Sequence, residues 1–169
     1  MNQAADHVRS TKEQSPVREY VADHGRPINR EEIDHTTIAG RSVAVAGDLT
    51  ADERELVAEA IRATKPVTRA CFANSLKLWN HNSRFMYAEG FAALDEFDVG
   101  GFEHAWVMLD GEKLVDVTTT FDDYYGAVIT DEVALQRHYD VGEERGVYGV
   151  VGDHRNRFEF LRERGYVEG

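Results

Sequence analysis

Glu103-His104-Ala105-Trp106-Val107-Met108-Leu109-Asp110-Gly111-Glu112-Lys113-Leu114-Val115-Asp116-Val117-Thr118 reads as two β-strands joined by a tight turn. Apolar residues alternate on both flanks, and an Asp-Gly step between such runs is a strong hairpin signal. His104 stands on the first strand and Asp116 on the second. Register decides whether they meet, because side chains alternate between the two faces of a sheet. A two-residue turn at Asp110-Gly111 pairs Leu109 with Glu112 and turns Asp116 away from His104. A three-residue turn, Asp110-Gly111-Glu112, pairs Leu109 with Lys113 and sets Trp106 opposite Asp116. His104 and Asp116 are then diagonal neighbours on one face, roughly 7–8 Å apart between Cα atoms. That face carries His104, Trp106, Met108, Leu114, Asp116 and Thr118; the other carries Ala105, Val107, Leu109, Val115 and Val117. Both are largely apolar, so the strands are expected to be central and covered on both sides.

A carboxylate inside an apolar strand is costly unless it is paired. Asp116 therefore needs a partner, and His104 is the best placed. Asp116-Val117-Thr118 read as turn chemistry is the plainer alternative. Upstream lies the only cysteine, Cys71, at the start of an amphipathic segment. A thiol there is favoured as thiolate by the helix N–H groups and dipole, and by a nearby imidazolium. The competing reading is a small buried hydrophobe. A Cys, a His and an Asp in this order suggest a thiol nucleophile, a base and a group that orients the base. A mononuclear metal site built from Cys71, His104 and Asp116, with His81, is a rival use of the same residues.

The 169 residues amount to one domain able to bury a core. One cysteine excludes an internal disulfide framework and a multi-cysteine zinc site. A net charge of −12 argues against nucleic acid or an anionic membrane as partner. Lysine is confined to Lys12, Lys65, Lys77 and Lys113 among many Asp and Glu, a composition expected of a halophilic protein or, equally, of an ordinary acidic one. No run of 18 apolar residues suggests a membrane span, and the N-terminus has no apolar signal core, so the expected compartment is the cytoplasm.

Residues 1–35 are polar, with Pro16, Gly25 and Pro27, and read as a loosely ordered or partly helical extension rather than a core element; residues 36–169 read as one folded domain. Residues 38–46 suggest a strand. Thr50 and Glu53 form a capping box that opens a helix over 51–64, with Leu56, Val57, Ala60 and Ile61 on its buried face. Residues 71–81 suggest a second helix. Residues 85–94 suggest a strand, with Glu89 read as an edge position at solvent and an Arg partner as the alternative. Residues 95–101 form a loop whose Gly100-Gly101 is a plain turn or a substrate-loop hinge. Thr130 is placed to cap a helix over 131–139. Residues 147–151 suggest a strand, and Asp153 a final helix to Arg164 that Gly165 ends. The order defines an α+β fold, a Cys-bearing helix packed on an antiparallel sheet that carries His and Asp.

The ordered set Cys71, His104-Ala105-Trp106 and Asp116-Val117-Thr118 resembles the transglutaminase-like branch of the papain-like cysteine enzymes. Tyr87-Ala88-Glu89-Gly90-Phe91 is similar to a Tyr-x-Glu-Gly-Tyr/Phe strand of small phage and prokaryotic members, and Tyr124-Tyr125-Gly126 to an aromatic-Gly block that follows it. The likeness covers about residues 66–129. It implies a papain-like core, with Cys71 as nucleophile, His104 as base and Asp116 as orienter. No Gln stands just upstream of Cys71. An oxyanion hole would then join the Cys71 N–H to a donor from Trp106, Asn74 or Thr68. The implied activity is amide or ester hydrolysis, or acyl transfer, on a peptide or protein amide, with no cofactor. A non-catalytic binding or structural protein on the same fold, of viral kind, is the alternative.

Overall fold

The computed structural model describes residues 2–95, 101–145 and 149–168, the side chains of 143–145 excepted. The fold is α+β. Helices α1 (Gln3–Thr11) and α2 (Pro16–His24) lead into strands β1 (Arg26–Ile28), β2 (Ile33–Ile38) and β3 (Arg41–Ala46). Helices α3 (Ala51–Thr64) and α4 (Cys71–His81) follow. Next come β4 (Phe85–Ala93), β5 (Phe102–Leu109), β6 (Lys113–Asp116) and β7 (Asp123–Val128), then α5 (Glu132–Arg145) and α6 (Glu159–Glu163). The strands form one antiparallel sheet in the order β1-β7-β4-β5-β6-β3-β2.

That order forces the sheet to curl. β1 and β2 are its two edges, yet Ile33 follows Ile28 by only five residues, a reach of at most about 18 Å. Seven flat strands would hold the edges about 29 Å apart. The edges therefore bend toward each other, and Ile28 and Ile33 join one apolar cluster with Trp106, Leu114, Phe121 and Tyr124. On the other face, Tyr87, Phe91, Ala105, Tyr125 and Ala127 pack under α1, α2, α4, α5 and α6. Val43, Val45, Val107, Leu109, Val115 and Val117 pack under α3 and Leu78 of α4. β5 is thus central and covered on both faces, by helices on one side and by the curled sheet's own side chains on the other.

The hairpin has the three-residue register: Leu109 pairs with Lys113, Met108 with Leu114 and Val107 with Val115. Asp110 and Gly111 both have positive φ, 55° and 73°, and Glu112 N donates to Leu109 O. Arg84 grips the Asp110 carboxylate through Nε and Nη2 at 2.9 and 2.7 Å, fixing the turn against the start of β4. The Thr50–Glu53 capping box forms as expected, with reciprocal bonds of 3.1 and 2.8 Å.

Several expectations are corrected. Residues 3–24 are two helices whose Ala4, Ala5, Val8, Val17, Tyr20 and Val21 are buried in the main core, so the N-terminal stretch is part of the packed fold. Asn2 caps α1, and the Gln3 and Ala4 N–H groups donate to the buried Asp123 carboxylate at 3.0 and 3.1 Å. Residues 38–46 are not one strand: Ala39 and Gly40, both at positive φ, turn the chain from β2 into β3. Asp131, not Thr130, caps α5, accepting from Ala134 N at 3.0 Å. Residues 149–151 are loop rather than strand; 147 and 148 lie outside the described residues. Asp153 closes a local turn on Asn156, and the last helix is confined to Glu159–Glu163, with Gly165 beyond it at φ 83°. Among the described residues no helix is long and apolar enough to cross a membrane.

Candidate functional site

Cys71 is the first residue of α4 and is half-buried. The helix starts there because Ala70 leaves helical geometry and its carbonyl accepts the first helical bond, from Asn74 N at 2.8 Å. Among the described residues no side chain caps this end. The first N–H groups of a helix lack intrahelical partners and concentrate positive potential. The loop before Cys71 is held by two staples. Asn74 accepts from Val67 N and donates to Val67 O and to Thr118 Oγ1 at 2.8 Å. Arg41 donates to Pro66 O and to Val117 O. Both staples tie the approach to Cys71 to the segment that leaves Asp116.

His104 Nε2 lies 2.7 Å from Asp116 Oδ2, and the residues are 4% and 1% exposed. The same oxygen accepts from Tyr124 Oη at 2.7 Å, while Oδ1 accepts from the N–H groups of Thr118 and Thr119. Asp116 is therefore both the partner of His104 and the centre of a turn. Cys71 lies close enough to His104 to act on its ring. Burial pulls the imidazole pKa down, but the charge and hydrogen bond of Asp116, with Cys71 adding to them, push it up to about 10. Asp116, with Cys71 adding to it, thus favours the protonated ring.

Aromatic rings wall off this pair. Phe121 meets the imidazole edge-on with centroids 4.7 Å apart, and Trp106 stacks at 6.1 Å. A Cβ on Gly126 would lie 2.4 Å from Trp106 Cη2, so the glycine of the aromatic-Gly block makes room for the indole. Among the described residues Trp106 Nε1 has no hydrogen-bond partner, and it is buried. Asn74 spends both amide hydrogens on its staple, which removes it as an oxyanion donor. Thr68 is exposed on the turn before α4. Gly101 leads directly into β5, and Gly100 lies outside the described residues. His81 is at the far end of α4, about 15 Å along the axis from Cys71, and bonds Glu59. Among the described residues no group of three His, Cys, Asp or Glu is placed to hold a metal ion.

Glu89 is not at a solvent edge. It is 3% exposed and accepts from Tyr87 Oη at 2.5 Å and from Val150, Val151 and Gly152 N at 2.6, 3.2 and 2.8 Å. Burial raises its pKa against the pull of these four donors. Tyr124, Phe121 and Arg41 are the other residues at this site that the sequence reading did not assign to it. The only signal for Tyr124 was the Tyr-Tyr-Gly block.

No protein-family model matches the chain, and none of the curated proteins or solved structures matches it. The class that fold and site define is thus a mixed α+β protein with a thiol, an imidazole and a carboxylate gathered where α4, β5 and β6 meet.

Proposed function

We propose that the chain is a cysteine amide or ester hydrolase or acyltransferase of the transglutaminase-like, papain-like kind. The observation that carries the reading is the buried Asp116–His104 pair, 2.7 Å long, whose ring Cys71 at the start of α4 also influences. The Cys71 thiolate attacks the substrate carbonyl carbon, and the π pair moves onto oxygen. The Cys71 N–H faces that developing charge. His104, charged before the reaction, gives its proton to the leaving amine or alcohol as the C–N or C–O bond breaks and a thioester forms. It then takes a proton from water or an acceptor amine, which releases the acyl group and restores the thiolate. Asp116 keeps the ring oriented and offsets its charge. Val67, 56% exposed just before Cys71, and Phe102, 41% exposed just before His104, give the approach an apolar lining suited to a peptide or protein amide.

The test is the rate of Cys71 alkylation by iodoacetamide across pH. The expected result is alkylation at neutral pH that depends on His104 and is slowed in His104→Ala. Reactivity that follows an ordinary thiol titration and ignores His104→Ala would sink the reading. Release of a labelled peptide amide, with and without added amine, separates hydrolysis from transfer.

A further inference from the structure

The loop 149–152 lies beside the neighbours of both Cys71 and His104. A Cβ on Gly149 would lie 3.1 Å from Phe72 Cε1, and Phe72 is the residue after the thiol. A Cβ on Gly152 would lie 3.2 Å from Glu103 Oε1, and Glu103 is the residue before the imidazole. The loop thus bridges the start of α4 and the start of β5. It has no strand ladder to fix it. Its N–H groups at 150, 151 and 152 instead converge on one buried carboxylate, Glu89, which Tyr87 steadies from below. The same close fit excludes a side chain at Gly149, whose Cβ would stand 2.4 Å from Glu89 Oε2.

We propose that Glu89 is a positioning residue for the site: by holding the backbone of 150–152 it presses the loop against Phe72 and Glu103 and so sets the spacing of Cys71 and His104. The proposal rests on the thiol–imidazole reading above. A carboxylate is suited to the task because it accepts four hydrogen bonds without needing to donate one. An amide in its place turns one terminus into a donor, facing N–H groups that are themselves donors. The loop is then released on one side while the volume of the core is kept.

The experiment compares iodoacetamide alkylation of Cys71, as a rate profile from pH 5 to 10, in the wild type, Glu89→Gln, Gly149→Ala and His104→Ala. Amide exchange at residues 150–152 and the thermal midpoint are followed alongside. Because misplacement by about 1 Å costs up to 10²-fold in a preorganised site, Glu89→Gln is expected to slow alkylation at pH 7 by tenfold or more. Its profile moves toward that of His104→Ala, and exchange at 150–152 quickens. Gly149→Ala displaces the loop with Glu89 intact and is expected to shift the profile the same way, which keeps the test open if Glu89→Gln fails to fold. A folded Glu89→Gln or Gly149→Ala with the wild-type profile overturns the proposal and leaves the thiol–imidazole reading standing. A wild-type profile identical to that of His104→Ala overturns both.

Discussion

His104 and Asp116 face each other across 2.7 Å at the end of the β5–β6 ladder, where almost no water reaches either. Asp116 also collects the Tyr124 hydroxyl and the N–H groups of Thr118 and Thr119. Removing it leaves a buried imidazole without its counter-charge and three donors without an acceptor. Losing one partner of a buried pair costs about 3–5 kcal/mol. Asp116→Ala is therefore expected to lower the unfolding free energy by that order in urea denaturation. A loss below about 1 kcal/mol, the worth of a surface pair, would show that the carboxylate does not carry this network.

The raised pKa of His104 gives stability a pH dependence of definite sign. The folded value is about 10, and the unfolded value is about 6.5. The native state therefore holds a proton that the unfolded state releases between these values. The stabilisation is full below the unfolded pKa and is lost as pH rises through the folded one. His138 adds in the same direction. Burial lowers its pKa, but its bonds to Asp153 at 2.9 Å and to Ala134 O outweigh this and raise it. Unfolding midpoints in urea are expected to fall steadily from pH 6.5 to 10, and His104→Gln is expected to flatten most of that slope. A wild-type slope that His104→Gln leaves unchanged would place the proton elsewhere.

The site was legible in the sequence where a local rule fixed geometry. The parity of the Asp110-Gly111-Glu112 turn decided the face of Asp116, and the Thr50–Glu53 box marked the start of α3. The Cys71 helix was visible from its apolar spacing. What the sequence hid depends on distant partners. Glu89 looks like a solvent position because the groups that bind it are backbone N–H groups some sixty residues away, which leave no side-chain signature. Residues 3–24 look like an extension outside the core because Ala4, Ala5 and Val8 are small and widely flanked by polar groups, yet small residues suffice where a helix lies directly on a sheet. The β2–β3 turn was missed because Ala39 takes a positive φ that favours other residues. β7 carries the signature of an aromatic-Gly block rather than of a strand, which hides the link from Tyr124 to Asp116.

Gly126 gives a packing test. Its Cβ position is occupied by the Trp106 ring, with Cη2 and Cζ2 at 2.4 and 2.7 Å. The indole cannot swing aside freely, since it also meets Tyr124 with centroids 5.0 Å apart. Overpacking a core costs about 1–3 kcal/mol. Gly126→Ala is expected to lower stability by that order and to shift Trp emission, because the ring is pushed from its buried seat. Unchanged stability and emission would mean that the block's glycine serves only the backbone.

The N-terminal helices give the last test. Asp123 is fully buried in the sheet, and its carboxylate accepts the first N–H groups of α1 while Arg30 Nη2 stands 3.4 Å away. The helix dipole and the guanidinium offset a charge that would otherwise be costly to bury. Asp123→Asn keeps the size but loses the charge and one acceptor. It is expected to loosen α1 and to cost about 1–3 kcal/mol, the price of leaving buried donors unpaired. Deleting residues 2–24 uncovers Phe91, Tyr125 and Ala127 and is expected to leave a chain that binds a hydrophobic dye and melts without a cooperative transition. A truncated chain that melts as sharply and at the same temperature as the whole would show that α1 and α2 are an appendage rather than part of the core.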